Sequence, residues 1–396
     1  MILTEKQQEG LRIAVSRFND HEPWTCIAGY AGTGKSTLIK FIISALEGIN
    51  PQKDVCYVAY TGKAANVLQQ KGCPNATTAH QLLYKAKPMP NGSYKFIKKE
   101  RLEYKVIVVD EISMLPRQMW EQLLTHKIYI LATGDPGQLP PVDKDEDNHV
   151  LDTPHIFLDE IMRQAQDSEI IRLSMWIREG KPIGNFPVEG KQVQIFNKNQ
   201  LVTGMFDWAD QILCATNNKR NEINNLVRRL RGYPEDQPTK GDKIISLHNH
   251  WAHISDSGTQ ALTNGTIGTL SYYYNESLWL PRYIHKGPLE VMFAEMDLDD
   301  DSFSGLPVDY KCLLTGEPTL DGKQRYLLKQ NKNVFIDPPY EFAYAYAITC
   351  HKAQGSEWDK ILVFEERFPF DKEEHKRWLY TAVTRAKEKV VIVRDV

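Results

Sequence analysis

The chain carries Gly-Tyr-Ala-Gly-Thr-Gly-Lys-Ser at residues 29–36, which matches the phosphate-loop pattern G-x-x-x-x-G-K-[ST]. The apolar, β-prone residues 24–28 precede it and predict a buried parallel strand. Residues 36–48 follow with apolar side chains at helical spacing and end on a glycine suited to a helix C-cap. Free N–H groups and the dipole of the predicted helix would point at bound phosphates. The sequence therefore predicts a site for a nucleoside triphosphate.

The residue types in this loop suit phosphate groups and their Mg2+ ion. Glycines permit the close backbone approach that a side chain would obstruct. Lys35 would reach the β- and γ-phosphates, and the Ser36 hydroxyl would ligate Mg2+. The predicted nucleotide-binding residues here are Gly32, Thr33, Gly34, Lys35, Ser36 and Thr37. A chance glycine-rich turn is the alternative, and the flanking strand and helix argue against it.

A second motif, VIVVDEISM at residues 106–114, supplies carboxylates that the loop lacks. Its four β-branched residues predict a buried strand, and a carboxylate at the carboxyl end of such a strand lies on the ligand edge of an α/β sheet. Asp110 would hold Mg2+, and Glu111 would orient and deprotonate the attacking water. An acidic helix N-terminus is the alternative interpretation.

Residues 127–133 predict a third strand that leads into GDPGQLPPV at residues 134–142. This segment, rich in glycine and proline, predicts a shaped loop at the edge of the sheet. Gln138 is the residue there suited to sense a γ-phosphate or to position water, whereas an ordinary turn would leave it without a role. The three segments together predict binding and hydrolysis of a nucleoside triphosphate.

These segments resemble motifs I, II and III of superfamily 1 helicases. Further segments resemble the other motifs in order: the Q motif at 3–7, Ia at 59–65, Ib at 77–80, IV at 158–164, V at 347–357 and VI at 378–386. The resemblance covers nearly the whole chain and is greatest for the RecD-like and Dda-like branch, superfamily 1B. Members of that branch translocate 5′ to 3′ on single-stranded DNA.

The resemblance implies further residues at the nucleotide. Gln7 would read adenine, and Gly355 and Glu357 would face the nucleotide. Arg163 and Arg385 would act as arginine fingers, which typically accelerate phosphoryl transfer by roughly 10³–10⁵. A surface salt bridge is the alternative for either arginine.

The resemblance also implies residues that grip the nucleic acid. The candidates in motifs Ia, Ib and V are Thr61, Lys63, Thr78, His80, Thr349, His351 and Lys352. Asn217, with Arg220 and Asn224, lies in an element similar to the family's TN–R–N pattern. Core histidines and a helix cap are the alternatives for these positions.

Residues 84–105 carry seven Lys or Arg against two Glu, with aromatic residues interleaved. Basic and aromatic side chains together suit a single-stranded track, because they neutralise phosphates and stack on bases. Asn91-Gly92 predicts a hairpin turn, and the family carries a strand-separating pin in this place. Phe96 is the candidate pin residue, and a solvated basic hairpin is the alternative.

The composition is that of a soluble globular protein, with 42% apolar and 25% charged residues. The net charge of −3 gives no global electrostatic case for nucleic acid. No 18-residue apolar run and no signal-peptide pattern occur, so the sequence predicts a cytoplasmic protein without a membrane partner. The six scattered cysteines predict reduced, mostly buried thiols.

The predicted fold class is α/β, with two RecA-like P-loop motor domains and two inserts. Motor domain 1A would span 1–150 and carry the basic hairpin insert 1B at 84–105. Motor domain 2A would span 151–239 and 341–396. Residues 240–340, with short strands predicted near 241–245, 265–274 and 325–328, would form an SH3-like β-barrel insert 2B, in which 275–321 match no known element.

The sequence thus predicts an ATP- and Mg2+-dependent 5′→3′ DNA helicase that works on single-stranded DNA and on junctions with duplex. It would function as a monomer, with single-strand binding or replication proteins as possible partners. One alternative is a non-unwinding module that binds or remodels single-stranded nucleic acid. Another is a P-loop kinase or generic NTPase. RNA as the track stays open, because no motif reads the 2′-hydroxyl.

Overall fold

The computed structural model describes residues 3–88, 94–140, 147–162, 166–258, 260–330, 338–366 and 371–394. The chain divides into two compact units. The first comprises residues 1–85, 98–215 and 349–396, and the second comprises 86–97 and 216–348. The predicted nucleotide-binding residues all fall in the first unit.

The first sheet of the first unit contains the predicted phosphate-loop strand. Its strands are β1 (Trp24–Gly29), β2 (Val55–Ala59), β3 (Thr77–Thr78), β6 (Val106–Val109), β7 (Tyr129–Gly134) and β8 (Ile156–Leu158). They pair in parallel in the order β3-β2-β6-β7-β1-β8. The short, apolar runs are buried on both faces, as a parallel sheet between helices requires. Its helices are α1 (Glu5–Asn19), α2 (Lys35–Ala45), α3 (Gly62–Gln70), α4 (Ala79–Leu83) and α5 (Arg117–Leu124).

A second parallel arrangement follows in the same unit. Its strands are β9 (Val193–Asn197), β10 (Gln211–Cys214), β19 (Trp358–Glu365) and β20 (Ala386–Arg394), neighbouring one another in the order β10-β19-β20-β9. The helices of this part are α6 (Glu169–Arg178), α7 (Gly204–Trp208), α11 (Cys350–Ala353) and α12 (Lys372–Val383). We call the first sheet with its helices the P-loop half, and this second sheet with its helices the C-terminal half.

The second unit is mostly antiparallel. Its main sheet has the order β16-β15-β14-β11-β17. The strands of this part are β11 (Lys243–Ser246), β12 (His250–Ile254), β13 (Ala261–Leu262), β14 (Ile267–Trp279), β15 (Pro288–Asp297), β16 (Ser302–Asp309) and β17 (Phe342–Tyr344). Strand β18 (Ala347–Thr349) begins in this unit and ends in the first. The helices are α8 (Asn217–Leu230), α9 (Tyr310–Thr315) and α10 (Gly322–Gln330). Residues 275–321, which the sequence left unmatched, thus form most of a β-meander.

The basic segment forms a pair of strands, β4 (Tyr84–Pro88) and β5 (Tyr94–Lys98), in a separate two-stranded sheet. The predicted turn at Asn91-Gly92 lies outside the described residues. Phe96 is a partly buried residue of β5.

The strand predicted at residues 325–328 is wrong, because these residues lie in helix α10. Asp321 caps this helix: its side chain accepts a hydrogen bond from the Gln324 N–H (2.8 Å), and the Gln324 side chain accepts one from the Asp321 N–H (2.9 Å). This reciprocal pair is a capping box, and its D-x-x-Q signal was present in the sequence. Leu328 is buried by the resulting helix, while Tyr326 is exposed.

No helix among the described residues is long and apolar enough to cross a membrane. Five of the six cysteines are buried, and Cys73 is half-buried. Burial raises the pKa of Cys26 and of Cys56 to about 12, so these thiols stay protonated.

A buried carboxylate connects helix α6 to the start of strand β9 in the C-terminal half. Glu169, in the first turn of α6, is 2% exposed. Its two oxygens accept hydrogen bonds from the backbone N–H groups of Glu189 (2.8 Å), Gly190 (2.9 Å), Gln192 (3.1 Å) and Val193 (3.1 Å). Burial acts to raise the pKa of Glu169, but these four bonds outweigh it and the pKa is lowered. The ionised side chain therefore fixes α6 against the start of β9.

Glu169→Gln should lower the free energy of unfolding by about 2 kcal/mol at neutral pH, because hydrogen bonds to a charged acceptor are lost. Because the folded pKa lies below the ordinary value of 4.5, this stabilisation is full above that value. It disappears as the pH falls through the folded pKa. Chemical denaturation at several pH values measures the difference.

Glu189→Gln is the matched control, since its exposed side chain makes only a surface ion pair with Arg172. An equal loss of stability in both variants, or a Glu169→Gln difference that does not shrink in acid, contradicts the role of the buried carboxylate.

Candidate nucleotide-binding and hydrolysis site

The phosphate loop joins β1 to α2, and glycine is required within it. Gly32 and Gly34 have φ angles of 78° and 82°, in the left-handed region that side chains rarely adopt. A Cβ atom at Gly34 would also lie 2.5 Å from Nε2 of Gln7. Lys35 Nζ donates to the carbonyl oxygens of Gly29 (2.6 Å) and Tyr30 (3.1 Å), so the predicted phosphate ligand lies within the loop.

Gln7 packs against this loop. It is buried in the first turn of α1, and its Nε2 donates to the carbonyl oxygen of Thr33 (3.2 Å). A capping box with Thr4 fixes its side chain. Ser36 and Thr37 lie in the first turn of α2, where Ser36 is exposed and Thr37 partly buried. The loop and the Q-motif glutamine therefore form one contiguous element.

The two predicted acidic residues directly follow β6. Asp110 Oδ1 accepts from the Thr133 hydroxyl (3.0 Å) and from the Glu111 N–H (3.1 Å). Glu111 has a φ of 51°, a left-handed conformation that is costly for a residue with a side chain. Burial raises the pKa of Glu111, and the nearby Arg385 guanidinium opposes that rise. Strain and a shifted pKa at one residue are typical of a functional site.

Gln138 links Glu111 to Arg385. The amide of Gln138 is assigned so that both neighbours are satisfied. Its nitrogen then donates to Glu111 Oε2 at 3.1 Å, and its oxygen accepts from Arg385 Nη2 at 3.0 Å. Arg385 Nη1 lies 3.8 Å from Glu111 Oε1. Three residues that the sequence predicts as catalytic thus form one hydrogen-bonded cluster, which we call the hydrolysis cluster.

Arg385 belongs to the C-terminal half and lies two residues after the end of α12. It is 4% exposed. Its Nε donates to the Thr381 carbonyl oxygen (3.2 Å), and its Nη2 donates to the Thr384 hydroxyl (3.3 Å). The guanidinium is therefore oriented by its own helix and presented to residues of the P-loop half. Arg163, the other predicted finger, lies outside the described residues.

A cleft beside the cluster is lined by the two motif V residues predicted at the nucleotide, Gly355 and Glu357. It is lined by residues of both halves, among them Thr61, Lys71, Asp110, Glu111, Gly355, Glu357 and Arg385. Gly355 has a φ of 73°, and a Cβ atom there would lie 3.3 Å from Ala64. Glu357 is exposed and forms an ion pair with Lys71 at 3.7 Å. Lys35 and Ser36 do not line this cleft.

The threonines predicted to grip nucleic acid in motifs Ia and Ib are helix N-caps. The Thr61 hydroxyl accepts from the Ala64 N–H (3.2 Å), and the Thr78 hydroxyl accepts from the Gln81 N–H (3.2 Å). Thr78 is also 1% exposed. A capping role accounts for both residues. Lys63 lies 4.3 Å from the centre of the Trp358 ring, a cation–π contact between the two halves.

The other residues predicted to bind nucleic acid are spread over the chain. His80 stacks on Tyr84 with ring centres 4.7 Å apart, and burial lowers the pKa of both His80 and His351. Thr349 is buried, His351 and Lys352 are partly buried, and Asn217 is exposed at the start of α8.

Asn224, by contrast, is used inside the second unit. Its amide donates to the carbonyl oxygens of Tyr344 (2.8 Å) and Ala347 (3.2 Å) and accepts from the Ala347 N–H (2.8 Å). It is 2% exposed, and these bonds within the second unit account for its amide.

The sequence analysis missed two residues that join the halves. Tyr380 contacts the phosphate loop and Asp135, and Gln354 Nε2 donates to the Leu139 carbonyl oxygen (2.8 Å). Tyr380 and Gln354 both lie inside the quoted motifs, but neither the spacing nor the residue type indicated a partner so distant in sequence.

The site and the two parallel sheets define a P-loop protein of mixed α/β class. A family model described as AAA domain matches residues 3–204, and one described as UvrD-like helicase C-terminal domain matches residues 344–393. The chain belongs to the AAA domain family. The resemblance to superfamily 1B helicases that the motifs predicted is confirmed by these matches and by the relatives.

Two curated relatives carry helicase names. The chain is 25% identical over 387 residues to the ATP-dependent RecD2 DNA helicase of Deinococcus radiodurans, covering 92% of this chain and 46% of that protein. It is 26% identical over 253 residues to the ATP-dependent DNA helicase dda of Enterobacteria phage T4, covering 57% of each. The chain therefore spans about half the length of these relatives.

A solved structure shares the fold. The Pif1 helicase from Bacteroides in complex with ADP-AlF3 and ssDNA matches with a TM-score of 0.52 and 19% identity, covering 100% of this chain and 93% of that chain. The predicted α/β fold with two RecA-like domains is supported at this level.

Proposed function

We propose that this protein is an ATP-driven DNA helicase that moves 5′→3′ along single-stranded DNA and unwinds duplex. The observation that carries the proposal is the hydrolysis cluster. Glu111 and Gln138 from the P-loop half meet Arg385 from the C-terminal half, beside an intact phosphate loop. A simple P-loop kinase or NTPase needs no arginine from a second parallel sheet. The helicase names of the RecD2 and dda relatives support the same function.

The roles follow from the chemistry of phosphoryl transfer. Lys35 and the loop N–H groups hold the β- and γ-phosphates of ATP. Glu111 accepts a proton from the attacking water, and burial raises the pKa of this carboxyl above its usual value. Gln138 positions that water between Glu111 and Arg385. Arg385 stabilises the charge of the transition state, a contribution worth roughly 10³–10⁵ in rate. We propose Arg163 as a second finger, and Gln7, Gly355 and Glu357 as further nucleotide contacts.

The residues near the loop fit Mg2+. Asp110 offers a carboxylate that Thr133 and the Glu111 N–H hold in place, and Ser36 offers an exposed hydroxyl in the first turn of α2. Oxygen ligands of this kind, completed by phosphate and water, are what Mg2+ prefers. When bound, the ion neutralises charge on the β- and γ-phosphates.

The proposed domain plan follows the motifs. Domain 1A spans 1–150 with insert 1B at 84–105, domain 2A spans 151–239 and 341–396, and insert 2B spans 240–340. The pairing of β4 with β5 supports 1B, and the antiparallel meander supports an SH3-like 2B.

The proposed DNA track uses motifs Ia, Ib and V, with the basic hairpin 84–105 at the junction. The candidate contacts are Thr61, Lys63, Thr78, His80, Phe96, Asn217, Thr349, His351 and Lys352. We further propose that the protein acts as a monomer in the cytoplasm, where it would meet single-strand binding or replication proteins. Sedimentation with and without a short single strand tests the monomeric state, and a dimer formed on DNA would contradict it.

Duplexes with a 5′ or a 3′ single-stranded tail test the function. With ATP and Mg2+ the protein should unwind the 5′-tailed duplex and leave the 3′-tailed one intact, measured by strand displacement. Unwinding from the 3′ tail alone overturns the proposed direction. Hydrolysis that DNA stimulates without unwinding indicates a translocase or remodelling module. A preference for RNA tails overturns DNA as the track.

Phe96→Ala should slow unwinding by about fivefold or more, since stacking on a base is worth ~1–3 kcal/mol. Hydrolysis stimulated by single strands should stay within about twofold, because the ring acts only at the junction. Stopped-flow strand separation and steady-state hydrolysis provide the two rates.

Ile97→Ala is the matched control for this substitution. Ile97 is the next residue of β5, 44% exposed, and its side chain points to the opposite face of the strand. Equal slowing of unwinding by both substitutions would remove Phe96 as the pin.

A further inference from the structure

The Tyr380 hydroxyl joins the C-terminal half to the phosphate loop. Tyr380 lies in α12 and is 1% exposed. Its oxygen accepts a hydrogen bond from the Ala31 N–H at 2.9 Å and donates one to Asp135 Oδ2 at 2.6 Å. One phenol therefore contacts both the loop that holds phosphates and the loop that carries Gln138.

Asp135 connects Tyr380 to the turn that carries Gln138. The carboxylate is 3% exposed, and its other oxygen accepts from the Gly137 N–H at 2.9 Å. The Asp135 carbonyl oxygen accepts from the Gln138 N–H at 3.2 Å. A Cβ atom at Gly137 would lie 3.1 Å from Cε1 of Tyr380, so the turn packs directly on the ring. The position of this turn thus depends on Tyr380.

The next residue of α12 holds the far end of the same loop. The Thr381 hydroxyl accepts from the Leu139 N–H at 2.9 Å. The Thr381 carbonyl oxygen accepts from Arg385 Nε at 3.2 Å. One turn of α12 therefore fixes Gln138 on both sides and orients Arg385 as well.

We propose that Tyr380 is a positioning residue for ATP hydrolysis, which sets Gln138 against the phosphate loop. This inference rests on the proposed function of the same site. A displacement of about 1 Å in such a cluster can reduce a rate by roughly 10²-fold. Tyr380 acts through Gln138 rather than on the substrate itself. Desolvation by burial, reinforced by the neighbouring Asp135, raises the pKa of Tyr380 well above its usual value, so the phenol remains a neutral donor.

Tyr380→Phe tests the inference, with Tyr346→Phe as the matched control. Tyr346 is a buried tyrosine of the second unit whose hydroxyl also donates to a buried carboxylate, Asp242, at 2.9 Å. Tyr380→Phe should lower kcat for ATP by about tenfold or more, with KM for ATP and affinity for single-stranded DNA within about twofold. Tyr346→Phe should leave kcat unchanged. A merely structural tyrosine would lower stability in both variants and kcat in neither.

A double-mutant cycle shows whether Tyr380 works through Gln138. Adding Tyr380→Phe to Gln138→Ala should cost less than about threefold in kcat, because the residue that Tyr380 positions is already gone. The inference is overturned if the fall in kcat of the double variant equals the product of the falls in the two single variants. It is also overturned if Tyr380→Phe and Tyr346→Phe have the same kcat. If Tyr380→Phe does not fold, Thr381→Val removes the hydroxyl at the other end of the loop and should give the same fall in kcat.

The rates are measured with and without single-stranded DNA. Wild-type hydrolysis that DNA does not stimulate would overturn the proposed helicase, while the comparison of Tyr380→Phe with Tyr346→Phe in basal hydrolysis would still decide the role of Tyr380.

Discussion

The buried charge of Arg385 is the constraint on which the arrangement of the site depends. A guanidinium taken out of water costs several kcal/mol unless nearby acceptors satisfy it. Here the acceptors come from Gln138, from Glu111 and from the carbonyl and hydroxyl groups around α12. Meeting that requirement places the end of β6, the loop after β7 and α12 in contact. Residues more than 200 positions apart thereby form one hydrolysis cluster.

Backbone geometry supplies the rest of the site. Gly32 and Gly34 turn the phosphate loop, and a strained left-handed Glu111 follows β6. Both follow the carboxyl ends of strands of one parallel sheet, which is the edge where open α/β folds bind ligands. Because β1 and β6 are buried, the residues at their ends are held in place before any ligand binds, which is the condition for electrostatic catalysis. The same packing explains why a single phenol in α12 can influence the position of Gln138.

The sequence predicted the local elements of the site well, because each had a strong local signal. β1 and β6 match their apolar runs, and the glycines after β1 identified the loop. The prediction of a strand at 325–328 was wrong because two adjacent apolar residues are equally compatible with a helix. The capping box at Asp321 favours the helix. The contacts of Tyr380 and Asn224 could not be predicted from the sequence, because their partners lie over 100 residues away along the chain. Asn224 looked like a surface ligand but satisfies buried backbone groups.

The most direct test of the account is the rate of ATP hydrolysis by Arg385→Ala at saturating single-stranded DNA, with nucleotide binding measured in parallel. If Arg385 completes a cluster that the two halves share, kcat should fall by roughly 10³-fold while the variant still binds ATP. A kcat within about threefold of wild type would show that Arg385 is only a buried structural cation, and it would contradict hydrolysis shared between the halves.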